Sequence, residues 1–208
     1  MKDPLLWWPA FWELASILED MLGPILFQFP PRFSATSENI SRLHELELIL
    51  PRGQHFAFEF RNSTWKREDI ADLFERNEWT SVVVHVSNRP APWSRRTTSW
   101  TQLKDGWTDM KLPGKCQYIR LHGTEGQYSG VYQGTLAGSE LLDMVLDRTQ
   151  LNLPTYVAYN NTDSFERMTD GRTLPSAIAD ATSMESIFGS QRCRSVELVQ
   201  KLPDFSCG

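Results

Sequence analysis

The sequence predicts an α/β protein built on a parallel sheet. Short apolar segments alternate with amphipathic helical segments five times along the chain, which favours right-handed crossover connections and parallel strands. At 208 residues the chain has the length of one ordinary domain, and no linker divides it. We therefore expect a single domain over residues 1–190, followed by a loosely ordered tail over residues 191–208.

The chain is predicted to open with a helix over residues 10–22 that runs almost directly into a strand. Apolar residues recur at helical spacing and form the predicted buried face: Phe11, Leu14, Ala15, Leu18 and Leu22. The run PILFQF (residues 24–29) has no apolar-polar alternation, which is typical of a parallel strand covered on both faces. Pro30 and Pro31 end this strand.

Two further helix and strand repeats are expected before residue 87. Thr36 or Ser37 can cap the second helix. Its buried stripe is formed by Ile40, Leu43, Leu46 and Leu50. HFAFEF (residues 55–60) is the second strand and REDIADLFERN (residues 67–77) the third helix. SVVVHV (residues 81–86) is almost entirely β-branched, and it is therefore the clearest strand of the chain.

The second half of the chain repeats the pattern twice after a long polar loop. The loop covers residues 88–115 and is followed by the strand CQYIRL (residues 116–121). The remaining elements are the helix SELLDMVLDRTQ (139–150), the strand TYVAYN (155–160) and the helix LPSAIADATSMESIF (174–188). Pro175 takes the first helical position, where its missing N–H costs nothing.

The amino-acid composition limits the classes of binding partner and the cellular compartment of the protein. The chain has 21 basic and 26 acidic residues, a net charge of −5, which is the wrong sign for binding nucleic acid through an overall field. Arg95 and Arg96 form a weak local basic candidate. No run approaches the roughly 20 apolar residues that span a bilayer. The three cysteines lack C-x-x-C spacing, which argues against disulfides and structural zinc and favours a cytoplasmic protein.

Side-chain alternation predicts a polar inner face on the strands. In YIRLHG (residues 118–123), Ile119 and Leu121 point to one face, while Arg120 and His122 point to the other. The same parity gives each strand a bulky apolar face and an opposite face that becomes polar toward the carboxyl end. Ligand sites of parallel sheets lie at that end. Because burying unpaired charge is costly, we expect Glu59 and Arg120 to be partners.

Several segments together resemble the YecE-like family, domain of unknown function 72. They are LGPILFQFPPRF, FAFEFRNSTW, YIRLHG with Tyr128 and Tyr132 behind it, and YVAYNNT followed by PSAIADA. Their order and spacing match over about residues 10–190. The resemblance implies a TIM-type β/α barrel with no securely assigned activity. Family members begin with about three further β/α units, so an N-terminally truncated barrel with strands β4 to β8 of the family is expected here.

The resemblance also implies a polar rim at the carboxyl ends of the strands. Carried onto this chain, the rim consists of Gln28, Glu59, Arg61, Arg120, His122, Asn160 and Asn161. We assign His122 and Glu59 as catalytic candidates, since carboxylates and imidazoles can transfer protons, and the other five as ligand-binding candidates. The family's acidic residue after the sixth strand is replaced here by Ser87 and Asn88.

Each rim residue also has a structural alternative. Glu59 and Arg120 can form a buried ion pair without ligand contact, and His122 can donate to a loop carbonyl. FRNSTW can be a capped turn in which Trp65 packs and Asn62 satisfies backbone groups. His85, Glu59 and His122 carry metal-binding atoms, but no ligand pair lies in a short motif, so no metal site is predicted. The identity of any cofactor stays unknown from the sequence.

Three functions remain open at this point. The first is an enzyme, or the remainder of one, that binds a small polar or anionic ligand through Arg120 and Arg61, since guanidinium groups bind phosphate and carboxylate in a bidentate way. The second is a non-catalytic barrel fragment that acts as a binding module, or that associates with itself or with another chain to cover open sheet edges. The third, by fold analogy, is a metal-dependent phosphodiesterase or nuclease.

Overall fold

The computed structural model describes residues 3–86, 107–108, 114–125, 128–150 and 153–188. Its centre is a sheet of five parallel strands in the order β1-β2-β3-β5-β6. The strands are β1 (Ile25–Gln28), β2 (Phe56–Glu59), β3 (Thr80–His85), β5 (Gln117–Leu121) and β6 (Thr155–Tyr159). The predicted tail and most of the predicted long loop lie outside the described residues. The alternation of strand and helix that the sequence predicts is confirmed within these limits.

Helices cover the outer face of the sheet, which curls into a half-barrel. They are α1 (Pro4–Ala15), α2 (Ser37–Ile49), α3 (Glu68–Asn77), α4 (Leu136–Gln150) and α5 (Ser176–Phe188), together with 3-10 helices at Ser16–Met21 and Ser63–Trp65. The curvature brings side chains of distant strands together on the inner face. The ring of Tyr156 on β6, for example, lies 6.3 Å from the ring of His55, which directly precedes β2.

The predicted parity of the strands is confirmed by the cores on the two faces. The outer core beside α1, α2 and α3 contains Ile25, Phe27, Phe29, Phe56, Phe58 and Phe60. A second outer core contains Ile119 and Leu121 with Leu141 of α4. The inner face carries a smaller cluster of Ala57, Val82 and Val84 with Leu26 and Tyr118 packed against it. The large apolar side chains thus face the helices, and the polar side chains are left to the inside of the curl.

The prediction for the first helix is wrong in both bounds and buried face. The α-helix begins at Pro4 and ends at Ala15, and a 3-10 helix with a kink at Glu19 (φ 47°) follows it. Phe11, Leu14 and Leu18, which were expected to be buried, are 43%, 71% and 51% exposed. Instead, Trp8 is buried and packs against Phe27 and Phe56. Nearly every face of this helix is apolar, so the spacing of apolar residues could not identify the face that packs on the sheet. The large ring of Trp8 is the side chain that the fold buries.

Short strands occur where none was predicted. Residues Trp107–Thr108 form β4, which lies in the expected loop and pairs antiparallel with the end of β3. Residues Phe165–Arg167 (β7) and Thr173–Pro175 (β8) form an antiparallel hairpin between β6 and α5. Pro175 therefore ends a strand and α5 begins one residue later, at Ser176. Strands of two or three residues are too short to produce a readable alternation.

No described helix has the length and apolar character needed to cross a membrane.

Candidate functional site

Glu59 forms the centre of a charged cluster on the inner face of the half-barrel. It ends β2, is 1% exposed, and its Oε1 accepts a hydrogen bond from Arg61 Nε at 2.6 Å. Its Oε2 accepts from Arg120 Nη1, and the same nitrogen donates to Gln28 Oε1. Gln28 lies beside Glu59 in the register of β1 and β2, whereas Arg120 reaches across from β5. The predicted pairing of Glu59 with Arg120 is confirmed.

Two guanidinium groups meet at one carboxylate in a place that water reaches poorly. The side chains of Arg120 and Arg61 are only 11% and 13% exposed, and both share the one carboxylate of Glu59. Within the described part of the chain, Arg120 donates hydrogen bonds only through Nη1. The N–H groups on the other edge of its guanidinium group, at Nε and Nη2, make no hydrogen bond to the described residues. Two N–H groups on one edge of a guanidinium match the two oxygens of a carboxylate or phosphate.

His122 adjoins this cluster as a neutral, unpaired imidazole. It is 1% exposed, and among the described residues neither Nδ1 nor Nε2 has a hydrogen-bond partner. The pKa of His122 is lowered to about 4, mainly by burial and then by the positive charge of Arg120, while Glu59 opposes the shift. The ring is therefore uncharged at neutral pH, and it offers one donor and one acceptor.

The chain after β5 turns tightly around His122. The His122 N–H donates to the carbonyl of His85, and the Tyr128 N–H donates back to the carbonyl of His122 at 2.6 Å. Gly123 has φ +104°, and a Cβ there would lie 2.1 Å from the carbonyl oxygen of Ser129. Only glycine suits this position, because other residues rarely adopt such a φ and have no room here.

Tyr132 fixes the start of this loop from the outer side of the sheet. Its hydroxyl accepts from the Gly123 N–H at 3.0 Å and lies 2.7 Å from His85 Nδ1. Which of the two groups donates in the bond between the hydroxyl and His85 Nδ1 depends on the tautomer of His85. Burial raises the pKa of Tyr132, so the hydroxyl stays protonated.

Asp180 on α5 anchors the loops that follow β5 and β6. Its carboxylate accepts from the N–H groups of Tyr132 and Gln133, each at 3.0 Å, and from Asn161 Nδ2 at 2.8 Å. Asn161 Nδ2 also donates to the carbonyl of Gly130. Burial raises the pKa of Asp180, and these donors oppose that effect. Asp180 is absent from the site residues that the sequence predicts, although it is the only charged residue in PSAIADA.

Comparison with known proteins shows where this geometry belongs. Residues 3–187 match the family described as "Protein of unknown function DUF72". The chain belongs to the DUF72 family. No curated protein matches it.

Solved structures of other DUF72 proteins share the fold. A protein from Thermotoga maritima matches with a TM-score of 0.60 and 23% identity over 90% of this chain and 66% of its own. Two structures of a protein from Enterococcus faecalis match with TM-scores of 0.60 and 0.56 at 20% and 19% identity. They cover 86% of this chain and 64% and 66% of their own chains. The DUF72 chain thus spans about two thirds of the length of these relatives.

The structure of the DUF72 chain brings most of the predicted rim residues together, but not all. One hydrogen-bonded cluster contains Gln28, Glu59, Arg61 and Arg120. The charged groups of this cluster shift the pKa of the His122 ring. The two asparagines are not bonded to it. Asn161 donates a hydrogen bond from its side chain to Asp180. Asn160 is half-buried, and its backbone N–H donates to the carbonyl of Leu121.

Two further alternatives from the sequence can be placed in the structure. His85 lies on the outer face against Tyr132, so it does not join Glu59 and His122 on the inner face. The part of the chain that the structure describes holds no group of three His, Cys, Asp or Glu residues arranged for a metal ion. Asn62 does cap the turn after β2, with its side chain accepting from the Thr64 N–H, and Trp65 is buried as the capped-turn alternative expects.

Proposed function

We propose that this DUF72 chain binds a small anion, a phosphate or a carboxylate, at the carboxyl ends of β1, β2 and β5. The supporting observation is that Arg61 and Arg120 share the single carboxylate of Glu59 in a nearly buried site. The Nε and Nη2 edge of Arg120 makes no hydrogen bond to the described residues. The low dielectric of the site strengthens the attraction of this edge for an anion.

Each residue of the cluster has a distinct part in the proposed site. Glu59 and Gln28 hold Arg120 through Nη1, which fixes the plane of its guanidinium group. The remaining Nε and Nη2 edge of Arg120 takes the anion, and Arg61 adds a second positive charge. Should the bound ligand react, His122 is one candidate for the transfer of a proton. Glu59 is the other acid or base candidate, and Asn160 and Asn161 stay candidates for ligand contacts.

We further infer that the chain corresponds to the last five strands of an eight-stranded TIM-type barrel of the YecE-like kind. The parallel order of the strands and the coverage of about two thirds of the solved relatives support this correspondence. The anion site then lies where TIM barrels place their active sites, at the carboxyl ends of the strands. A cytoplasmic location and the domain bounds 1–190 stay predictions from the sequence.

A thermal-shift screen tests the anion site. Phosphorylated and carboxylated metabolites, with inorganic phosphate among them, should raise the melting temperature of the wild-type protein by ligand linkage. Arg120→Leu should abolish the shift. The matched control is Arg52→Leu, because Arg52 is an exposed arginine in the turn before β2, at the opposite end of the strands. An Arg120→Leu protein that responds like the wild type would remove Arg120 from the site.

A second candidate function is association, and the exposed face of α1 and the following 3-10 helix favours it. Eight large apolar side chains are exposed there: Leu5, Leu6, Trp7, Phe11, Leu14, Ile17, Leu18 and Met21. Within the described structure, β1 pairs only with β2, and β6 only with β5, so both edges of the parallel sheet are unpaired. Contiguous apolar patches of this kind mark interaction surfaces. We propose a second copy of this chain as the occupant, because one apolar face can pack on its own copy about a two-fold axis.

A further inference from the structure

The ring of His122 is an unsatisfied polar group in the interior of the proposed site. It is 1% exposed, and both of its nitrogens lack a hydrogen-bond partner among the described residues. Buried polar atoms in folded proteins are nearly always paired, and the exceptions mark places where a ligand or a water completes the pairing. The side chain shares the inner face with Arg120 and Glu59, the charged groups of the proposed anion site.

A simple anion can satisfy only one of the two ring nitrogens. A neutral imidazole has one N–H donor and one nitrogen that accepts. The oxygens of a carboxylate or of an ionised phosphate ester accept hydrogen bonds but do not donate them. The accepting nitrogen of His122 therefore needs a donor that the anionic group itself does not supply. A hydroxyl group supplies it.

Arg120 and His122 lie on the same face of their strand. The His122 N–H still bonds to the carbonyl of His85, so the strand ladder continues through this residue and keeps it in phase with Arg120. Residues two apart in a strand are separated by about 6.5 Å along its axis and point to the same side of the sheet. One small ligand on the inner face can therefore contact both side chains.

We propose that the ligand of this site is a small hydroxylated anion, and that His122 binds its hydroxyl. The inference rests on the anion site proposed above. It adds a specificity-determining residue: Arg120 and Arg61 attract the charge, and His122 selects the hydroxylated ligand over its deoxy analogue.

Isothermal titration calorimetry with matched pairs of anions tests the selection. The probes are lactate against propionate and 2-hydroxyethyl phosphate against ethyl phosphate, so the two pairs also separate a carboxylate ligand from a phosphate ligand. In at least one pair the wild-type protein should bind the hydroxylated member about tenfold more tightly, the usual gain from one hydrogen bond to a buried group. His122→Phe should bind both members of that pair with the affinity of the wild type for the deoxy anion.

The outcomes separate this inference from the anion site itself. Equal affinity for both members of each pair overturns the role of His122 and leaves the anion site intact. Binding of none of the four probes overturns both. If His122→Phe does not fold, His122→Leu provides the test, because leucine also lacks a hydrogen-bond donor and acceptor and is smaller. A hydroxyl preference of wild-type size in a folded variant that lacks both groups also contradicts the inference.

Discussion

Glu59 and Arg120, which stand 61 positions apart in the sequence, form an ion pair across the inner face of the half-barrel. The pair joins β2 to β5 over the small side chains of β3, and Arg61 completes it from the end of β2. Because the pair is buried, removal of either residue would leave the charge of the other without compensation, and this would destabilise the fold. It links the stability of the sheet to the charge of the candidate site.

Replacement of Glu59 by glutamine should weaken the fold and strengthen anion binding. Glu59→Gln removes the charge that offsets two guanidinium groups, so the free energy of unfolding should fall by roughly 3–5 kcal/mol. The affinity for inorganic phosphate should rise, since the positive charge of the site is no longer offset. Urea unfolding and calorimetry measure the two effects. Asp69→Asn, which breaks an exposed pair with Arg67, should cost less than about 1 kcal/mol. Equal costs for the two variants would contradict the burial argument.

His122 should make the stability of the protein depend on pH between about 4 and 6.5. Its pKa is about 4 in the folded protein, where burial and then Arg120 lower it from the ordinary value of 6.5. The neutral ring is favoured in the fold, so its contribution is fully present above pH 6.5 and is lost as the pH falls toward 4. The loss over this window is roughly 3 kcal/mol.

The measurement for His122 is urea unfolding at pH 7 and at pH 4.5. His122→Gln should lose much less stability than the wild type between these two values. His44→Gln is the matched control, because the side chain of His44 is half exposed on α2 and should leave the wild-type dependence unchanged. A His122→Gln protein with the full wild-type pH dependence would show that His122 is not the titrating group.

Gly123→Ala should destabilise the protein far more than Gly53→Ala. Both glycines have positive φ, +104° and +88°, so both substitutions strain the backbone by roughly 1 kcal/mol or more. Only at Gly123 does the added Cβ meet an atom, the carbonyl oxygen of Ser129, whereas Gly53 has open space around its Cβ position. The difference in chemical-denaturation midpoints therefore measures how tightly the loop after β5 closes. Equal midpoints would show that this loop yields without cost.

Asp180→Asn should loosen the loops after β5 and β6 without unfolding the helix that carries it. An amide cannot accept all of the hydrogen bonds that Tyr132, Gln133 and Asn161 donate, so a loss of roughly 1–3 kcal/mol is expected. Hydrogen exchange at the amides of Tyr132 and Gln133 should accelerate. Asp143→Asn on the exposed side of α4 provides a control of the same charge change. Unchanged protection of both amides from hydrogen exchange would show that Asp180 does not anchor these loops.

The exposed apolar face of α1 should hold two copies of the chain together. Leu14→Glu places a charge in the middle of that face and should shift sedimentation velocity profiles from dimer to monomer. Leu48→Glu is a suitable control, because Leu48 is an exposed leucine on α2 outside this face. A wild-type protein that sediments as a monomer at all concentrations would contradict the association proposal.

The sequence predicted the inner cluster because strand parity is a property of the backbone. Alternation put Glu59 and Arg120 on the polar face, and the cost of burying unpaired charge made them partners. The same reasoning failed for α1, where apolar residues surround the helix and the burial of Trp8 decides the packed face. It also missed Asp180, whose partners come from a loop about 48 positions away and depend on how that loop closes.

The most direct test of the central claim is a crystal soaked with tungstate, an anomalously scattering analogue of phosphate. We expect an anomalous peak at the carboxyl ends of β1, β2 and β5, with tungstate oxygens about 2.8 Å from Nε and Nη2 of Arg120. The peak should be absent from crystals of Arg120→Leu and present in crystals of Arg52→Leu. Tungstate bound only at exposed basic residues, with none beside Arg120, would contradict the anion site.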